Sequence, residues 1–266
     1  MDFLVIGSSM AFIAYMLATM AIVSRLFHPN GPNLKWVLIS ASIAIAIHLF
    51  NDIQLFLSQE GINFSLPNVI SLVSLIITIT ISIVALRVKV NLLLPVIYGF
   101  AGIWQLVMIF IPESESIPLI AEKIILVSHI SLALIAYCIL IIATLYAFQV
   151  SYINLKLKNK NLTAVVHLPP LMQVEKQLFT ILAIGTLCLF ASELIGLAFL
   201  DSFFARDNIH KTILSLMALL IYIVILLGHY SKGWRGHSVL VLTIIASTLL
   251  TLSYFGSRFV KEFLLS

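Results

Sequence analysis

A chain of 266 residues with 61% hydrophobic and only 10% charged residues has too few charges to cover a water-exposed surface. The composition therefore excludes an ordinary soluble domain and predicts a polytopic integral membrane protein in a lipid bilayer. The net charge of +4 comes from lysines and arginines in connecting loops, so it indicates membrane orientation and not nucleic-acid binding. Cys138 and Cys188 lie inside apolar runs and form no CxxC pair, which argues against a thiol–disulfide relay.

Eight apolar runs are long enough to cross about 30 Å of hydrocarbon as helices. They are approximately residues 3–24, 36–57, 68–87, 92–111, 119–150, 177–200, 211–229 and 238–260. The sequence predicts an all-α bundle of eight transmembrane helices, with residues 1–266 as one transmembrane domain. The fifth run continues its apolar pattern to Leu157, and Pro169-Pro170 predict that the next helix starts at Leu171.

Lysines and arginines are distributed unevenly between the loops on the two sides of the membrane. Ten of the fifteen lysines and arginines follow the first, third, fifth and seventh spans, and five lie on the other side. The positive-inside rule then places those loops in the cytoplasm and both termini outside it.

His48 is the first intramembrane residue that suggests metal chemistry. Asp52 lies four residues later on the same helix face, so its carboxylate is positioned to accept from one ring nitrogen of His48. That bond would leave the other nitrogen for a metal, with Asp52 as its supporting partner. The alternative is a packed histidine that is hydrogen-bonded near the aqueous boundary.

His129 lies about ten residues into the fifth span, at a predicted depth similar to that of His48. Two neutral imidazoles at one depth on different helices are able to bind a haem iron from both faces. Equal depth alone leaves a structural role open for each histidine.

His229 ends the seventh span, directly before the glycine-rich turn Gly233-Trp234-Arg235-Gly236. A histidine at the C-terminal end of a helix complements the helix dipole, so His229 has both a capping and a ligand interpretation. Trp234 and Arg235 fit the role of anchors at the membrane interface.

Glu193 is the one carboxyl group well inside an apolar run. It is interpreted as protonated, paired with a histidine or facing a wet cavity. Two stripes of hydroxyl residues at helical spacing either line a ligand cavity or mediate helix contacts. The stripes are Ser71, Ser74, Thr78 and Ser82 on the third span, and Thr243, Ser247 and Thr251 on the eighth.

Several segments resemble the cytochrome c assembly protein family. His129-Ile130-Ser131 followed by Tyr137 is similar to that family's histidine-bearing helix, and Pro170 to Glu175 resemble the entry to its next span. Ile221-Tyr222, His229 and the Gly-Trp-Arg-Gly turn resemble the helix and turn that follow. The similarity covers roughly residues 40–260 and extends to a subgroup of small eight-span inner-membrane proteins.

The resemblance implies a haem-handling protein of the bacterial inner membrane that acts in cytochrome c biogenesis. It implies that His129 matches an external haem-ligand histidine and that His229 approximates an intramembrane one. We therefore expect b-type haem, with His129 and His229 as axial ligands by the resemblance, or with His48 in place of His229 by its predicted depth, a pairing that the family pattern does not contain. We expect no enzymatic activity, and other cytochrome c biogenesis or membrane proteins as partners.

Two other classes of function stay open. The segment Asp201 to Asp207 stands where the family carries a tryptophan-rich stretch, and this difference favours a membrane interaction or regulatory subunit. A transporter of small solutes or ions is the third hypothesis, with Glu193, Asp52 and the hydroxyl stripes along its path. The lack of paired, glycine- or proline-broken spans in two matching halves argues against it.

Overall fold

The computed structural model describes residues 2–26, 28, 31–57, 65–111, 124–160, 168–199 and 209–256. Every regular element among them is helical. The helices are α1 (Asp2–Val23), α2 (Leu34–Leu57), α3 (Leu66–Ala85), α4 (Leu94–Met108), α5 (Ile124–Lys158), α6 (Leu171–Phe199), α7 (Ile209–Lys232) and α8 (His237–Thr251). A π-helical turn, Leu252–Gly256, continues α8.

Seven of the described helices are long and apolar enough to cross a membrane. The eighth, α4, has 15 residues and is about 22 Å long, shorter than the predicted run 92–111. Pro95 lies in its first turn, and its regular hydrogen bonding ends at Met108. Large apolar side chains such as Met20 and Leu220 are exposed, as expected where lipid covers a helix.

The chain divides into two compact units. Unit 1 is built from α1 to α4, and unit 2 from α5 to α8. The apolar runs predict one transmembrane domain over residues 1–266, and the helices group by their contacts into these two units.

In unit 1, α1 and α3 each pack against both α2 and α4. Gly102 of α4 brings that helix close to α1, because a Cβ atom at this position would lie 2.7 Å from Cε of Met16 and 3.0 Å from Cβ of Tyr15. Small residues at such contacts let transmembrane helices approach closely. The polar side chains of all four helices consequently meet inside the unit.

In unit 2, α5 packs extensively along α6, and α7 packs on α6 and α8, which in turn contacts α5. Gly185 of α6 supports the close approach to α5, because a Cβ atom there would lie 2.8 Å from the side chain of Leu140. The predicted extension of the fifth span is confirmed, since α5 has 35 residues and ends at Lys158. The predicted start of the sixth helix at Leu171 is also confirmed.

Candidate functional site

His48 lies at the centre of a buried polar network in unit 1. Its side chain is fully buried, and both of its ring nitrogens are hydrogen-bonded. Nδ1 lies 3.1 Å from the hydroxyl of Tyr15 on α1, and Nε2 lies 2.9 Å from the hydroxyl of Ser71 on α3. Three helices therefore converge on one imidazole.

The donors in this network can be assigned from its end groups. Ser71 donates to Oδ1 of Asp52 at 2.7 Å and accepts from Nε2 of Gln105 at 3.1 Å. Because the single proton of Ser71 goes to Asp52, Nε2 of His48 must donate to Ser71, and Nδ1 must accept from Tyr15. The result is an ordered series of donors from Tyr15 through His48 and Ser71 to Asp52.

The structure differs here from the expectation for His48. Asp52 does share its helix face, with Oδ2 3.6 Å from Nε2, but Ser71 makes the hydrogen bond to that nitrogen. The opposite nitrogen, which the sequence analysis reserves for a metal, accepts from Tyr15. In this arrangement both ring nitrogens of His48 have hydroxyl partners, and Asp52 lies beside the bond between Nε2 and Ser71.

His129 is held near the start of α5 by the facing residue on α6. Its Nδ1 lies 2.8 Å from the backbone carbonyl of Ser192, and the Ser192 hydroxyl donates to the backbone carbonyl of His129 at 3.2 Å. Because a carbonyl only accepts, Nδ1 of His129 carries the proton. In the neutral ring, the lone pair is then on Nε2.

His229 is held by the turn that follows it. Gly233 has a left-handed backbone with φ of 65°, which ends α7 and allows the Trp234 amide to donate to the carbonyl of Gly228 at 3.1 Å. The Trp234 ring lies against Gly228, where any Cβ atom would overlap it. The carbonyl of Trp234 then accepts from Nδ1 of His229 at 3.0 Å.

The ring of His229 also stacks on Phe179 of α6, with ring centroids 3.3 Å apart and planes 12° apart. Its Nε2 makes no hydrogen bond within the described ranges of the chain. The glycine-rich turn thus fixes the orientation of the His229 ring. Arg235 of the same turn lies 3.8 Å from Glu175 of α6, and this ion pair joins the turn to that helix.

The two histidines of unit 2 do not meet. His129 contacts α6 at Ser192, and His229 contacts it at Phe179, 13 positions earlier. At about 1.5 Å per residue, these contact points are about 20 Å apart along the helix. Two imidazoles that bind one iron must each bring a nitrogen to about 2 Å from it, by analogy with other imidazole–metal bonds.

His129 and His229 separately fit the chemistry of a haem ligand. A ligating histidine commonly donates its second ring N–H to a carbonyl or carboxylate, which fixes the ring and leaves Nε2 for the metal. Nδ1 of each residue makes such a bond to a backbone carbonyl, and both residues belong to unit 2. Their donor chemistry is therefore compatible with haem, although each would serve a separate iron.

Glu193 lies next to Ser192 on α6 and is 7% exposed. It lies within hydrogen-bonding reach of Ser215 on α7, and its second oxygen, Oε2, has no hydrogen-bond partner among the described residues. Tyr254 is within electrostatic range of Glu193. The carboxyl group therefore lies in the interior of unit 2, on the face of α6 turned to α7.

The two hydroxyl stripes mainly bond to their own helices. Ser74 and Thr78 donate to carbonyls of α3, and Thr243 donates to a carbonyl of α8. This pattern is typical of hydroxyl side chains at helix contacts. Ser82 and Thr251 also contact tyrosine hydroxyls of neighbouring helices, and Ser71 is a central member of the His48 network.

Sequence reasoning missed Tyr15, Ser71, Ser192 and Phe179 as partners of the histidines. A spacing of seven residues would have found part of the pattern. Ser8 and Tyr15 share a face of α1, and Ser215, Tyr222 and His229 share a face of α7. No spacing within one helix indicates Ser192 or Phe179, because each meets its histidine from another helix. The segment from Asp201 to Asp207 lies outside the described residues.

Comparison with known proteins gives the family. Residues 36–265 match the family described as Cytochrome C assembly protein. The inner membrane protein YpjD of Escherichia coli K12 is 41% identical over 255 residues, which cover 95% of this chain and 97% of that protein. An uncharacterized 28.8 kDa protein of Azospirillum brasilense is 32% identical over 142 residues, 52% of each chain. No solved structure matches the chain.

The similarity to YpjD and the long apolar helices establish a multi-pass protein of the inner membrane. The family match covers α2 to α8 and includes all three histidines considered above. The chain belongs to the cytochrome c assembly protein family.

Proposed function

We propose that this protein binds b-type haem through His129 and His229 of unit 2 and handles it in the inner membrane for cytochrome c assembly. The family supplies the biological setting, and the two histidines supply the binding groups. Haem, if bound, would supply an iron that takes an imidazole nitrogen of His129 or His229 as a ligand.

One observation carries the proposal. Nδ1 of each histidine donates to a backbone carbonyl, that of Ser192 for His129 and that of Trp234 for His229. This bond fixes which nitrogen carries the lone pair and prevents the ring from turning. His48 lacks this arrangement, because side-chain hydroxyls occupy both of its nitrogens.

The surrounding residues support the orientation of His229. Phe179 stacks flat on the ring, and the Trp234 indole packs against Gly228 one position before the histidine. A ligand that is already oriented loses less conformational entropy on binding.

The separation of about 20 Å between the two α6 contact points favours two binding positions in one unit. The predicted orientation of the membrane helices puts His129 towards the outside and His229 towards the cytoplasm. An imidazole at each end suits a protein that takes up haem at one side and presents it at the other. This arrangement replaces the pairing of His129 with either His48 or His229 on one iron.

Absorbance spectroscopy of the purified protein tests the proposal. The protein is expressed with haem supplied, and the Soret band is compared with protein concentration in the wild type and in the His129→Ala/His229→Ala double variant. We expect the wild type to carry the band, each single variant to carry less haem, and the double variant to lose it.

A matched control replaces His210 and His237, which are exposed histidines of the same unit. The His210→Ala/His237→Ala variant should keep the wild-type haem content. A wild-type protein without a Soret band, or a folded His129→Ala/His229→Ala variant that keeps full haem content, would contradict the proposal.

A further inference from the structure

Unit 1 has a cavity at the end of the helix pair α2 and α3 that the histidines do not use. Its accessible volume is about 380 Å³, within the range of small-ligand pockets. One wall is the segment from Gly31 to Leu34, which leads into α2. The other is the connection from α3 to α4, including Leu86, Arg87, Lys89 and Asn91.

The lining is basic. Arg87 and Lys89 supply two positive charges, Asn91 adds an amide, and no acidic residue is among the described lining residues. Neither cation takes part in an ion pair within the described part of the chain. Two cations without an ion-pair partner among the described residues favour an anionic ligand at this concave surface, and a guanidinium group suits the planar, bidentate recognition of phosphate.

The cavity lies where the helices end. Leu86, which lines it, is 69% exposed, and Trp36 in the first turn of α2 is 66% exposed. Exposed tryptophan and leucine side chains beside basic residues are typical of the boundary between hydrocarbon and water. This end also carries the loops that the charge distribution predicts to be cytoplasmic, where anionic lipid headgroups attract basic residues.

We infer that this cavity binds the phosphate of an anionic phospholipid headgroup, with Arg87 and Lys89 on the phosphate and Leu86 beside the acyl chain. The alternative explanation is that the two cations only complement the C-terminal end of α3 and fix membrane orientation. That explanation accounts for the charges but requires no cavity, and it predicts no difference between these cations and others at helix ends.

The test compares two double variants of the full-length protein in detergent, titrated with phosphatidylglycerol and, separately, with phosphatidylcholine. Arg87→Gln/Lys89→Gln removes the charges of the cavity. Lys158→Gln/Lys232→Gln removes two exposed cations from the last turns of α5 and α7, neither of which lines the cavity. The readout is the lipid concentration that gives half of the full rise in the midpoint of thermal unfolding.

We expect phosphatidylglycerol to stabilise the wild type more strongly than phosphatidylcholine. Each basic residue near an anionic lipid contributes roughly fivefold in affinity, so the cavity variant should bind phosphatidylglycerol about 25-fold more weakly. The control variant should bind as the wild type does. Equal unfolding midpoints of the three proteins without lipid would show that the variants fold normally.

Three results would overturn the inference. The first is unchanged affinity of the cavity variant for the lipid, and the second is an equal loss of affinity in both double variants, which would show only general attraction between charges. A third arm uses inorganic phosphate and glycerol 3-phosphate as probes. Stabilisation of the wild type by these soluble anions at the same concentrations as phosphatidylglycerol would assign the cavity to a soluble ligand instead.

Discussion

The histidines of the two units differ in what their ring nitrogens contact. In unit 1, His48 is enclosed by side chains, with Tyr15 on one nitrogen and Ser71 on the other. In unit 2, His129 and His229 each give Nδ1 to a backbone carbonyl. The fully buried histidine thus has side-chain partners on both nitrogens, whereas each partly buried histidine has a backbone carbonyl on Nδ1.

The difference shows that burial and a nearby acid are poor guides to ligation. A ligand histidine needs one nitrogen fixed and the other left with its lone pair. His48 satisfies its two nitrogens within the fold, so removing it should cost stability. His129 and His229 should affect haem content more than stability.

The largest expected effect is that of His48→Ala. The change removes two buried hydrogen bonds and leaves a cavity among α1, α2 and α3, so we expect a loss of about 3 kcal/mol in the free energy of unfolding. The measurement is the thermal unfolding of the purified protein in detergent. His210→Ala, at an exposed position, should leave the unfolding midpoint within error of the wild type. A His48→Ala protein as stable as this control would refute the structural role.

Gly228→Ala tests whether the turn after α7 positions His229, and it leaves the histidine itself unchanged. A Cβ atom would overlap the Trp234 ring, so the ring and the carbonyl that accepts from His229 must move. We expect overpacking to lower the free energy of unfolding by about 2 kcal/mol. We also expect the haem content to fall to that of the His229→Ala variant.

The control for that variant is Gly99→Ala. At Gly99 a Cβ atom would meet only Cγ2 of Thr19, at 4.0 Å. The Gly99→Ala change should leave the free energy of unfolding unchanged or raise it by about 0.5 kcal/mol, because alanine is the better helix former. Full haem content in Gly228→Ala would show that the turn does not position the ligand.

Tyr15→Phe removes one donor from the unit 1 network and keeps the ring. Nδ1 of His48 then lacks its partner in a buried site, at a cost of about 1 kcal/mol. The measurement is again thermal unfolding, with Tyr230→Phe as the control because Tyr230 is 73% exposed. If the two variants unfolded at the same temperature, the bond between Tyr15 and His48 would contribute nothing.

Ser192→Ala should have the smallest effect. It removes the hydroxyl that donates to the His129 carbonyl, but it leaves the backbone carbonyl that accepts from Nδ1. We expect about 0.5 kcal/mol of destabilisation and an unchanged haem content in the absorbance assay. A marked loss of haem would mean that the hydroxyl, and not the carbonyl, positions His129.

Much of the fold could be predicted from the chain because its signals are local. Apolar runs give the helices, and the two prolines before Leu171 give the start of α6. The α5 extension to Lys158 follows from continued periodicity. The grouping into two units depends on contacts between helices, so a run of hydrophobic residues does not show it.

The candidate site was only partly predictable for the same reason. The spacing of His48 and Asp52 does place them on one face, with 3.6 Å between Nε2 and Oδ2. The partners that decide the role of His48, Tyr15 and Ser71, come from two other helices. The composition of the turn after α7 indicates a turn. Its contact with His229 depends on the left-handed backbone at Gly233, which places the Trp234 carbonyl beside Nδ1.

The most direct test of the central claim is the amount of haem retained by folded His48→Ala protein compared with folded His129→Ala/His229→Ala protein. Both are purified in parallel, separated from unfolded material, and measured as haem per polypeptide. The arrangement of the ring nitrogens predicts wild-type haem content in the His48 variant and none in the double variant. Loss of haem from the His48 variant, with retention in the double variant, would contradict it.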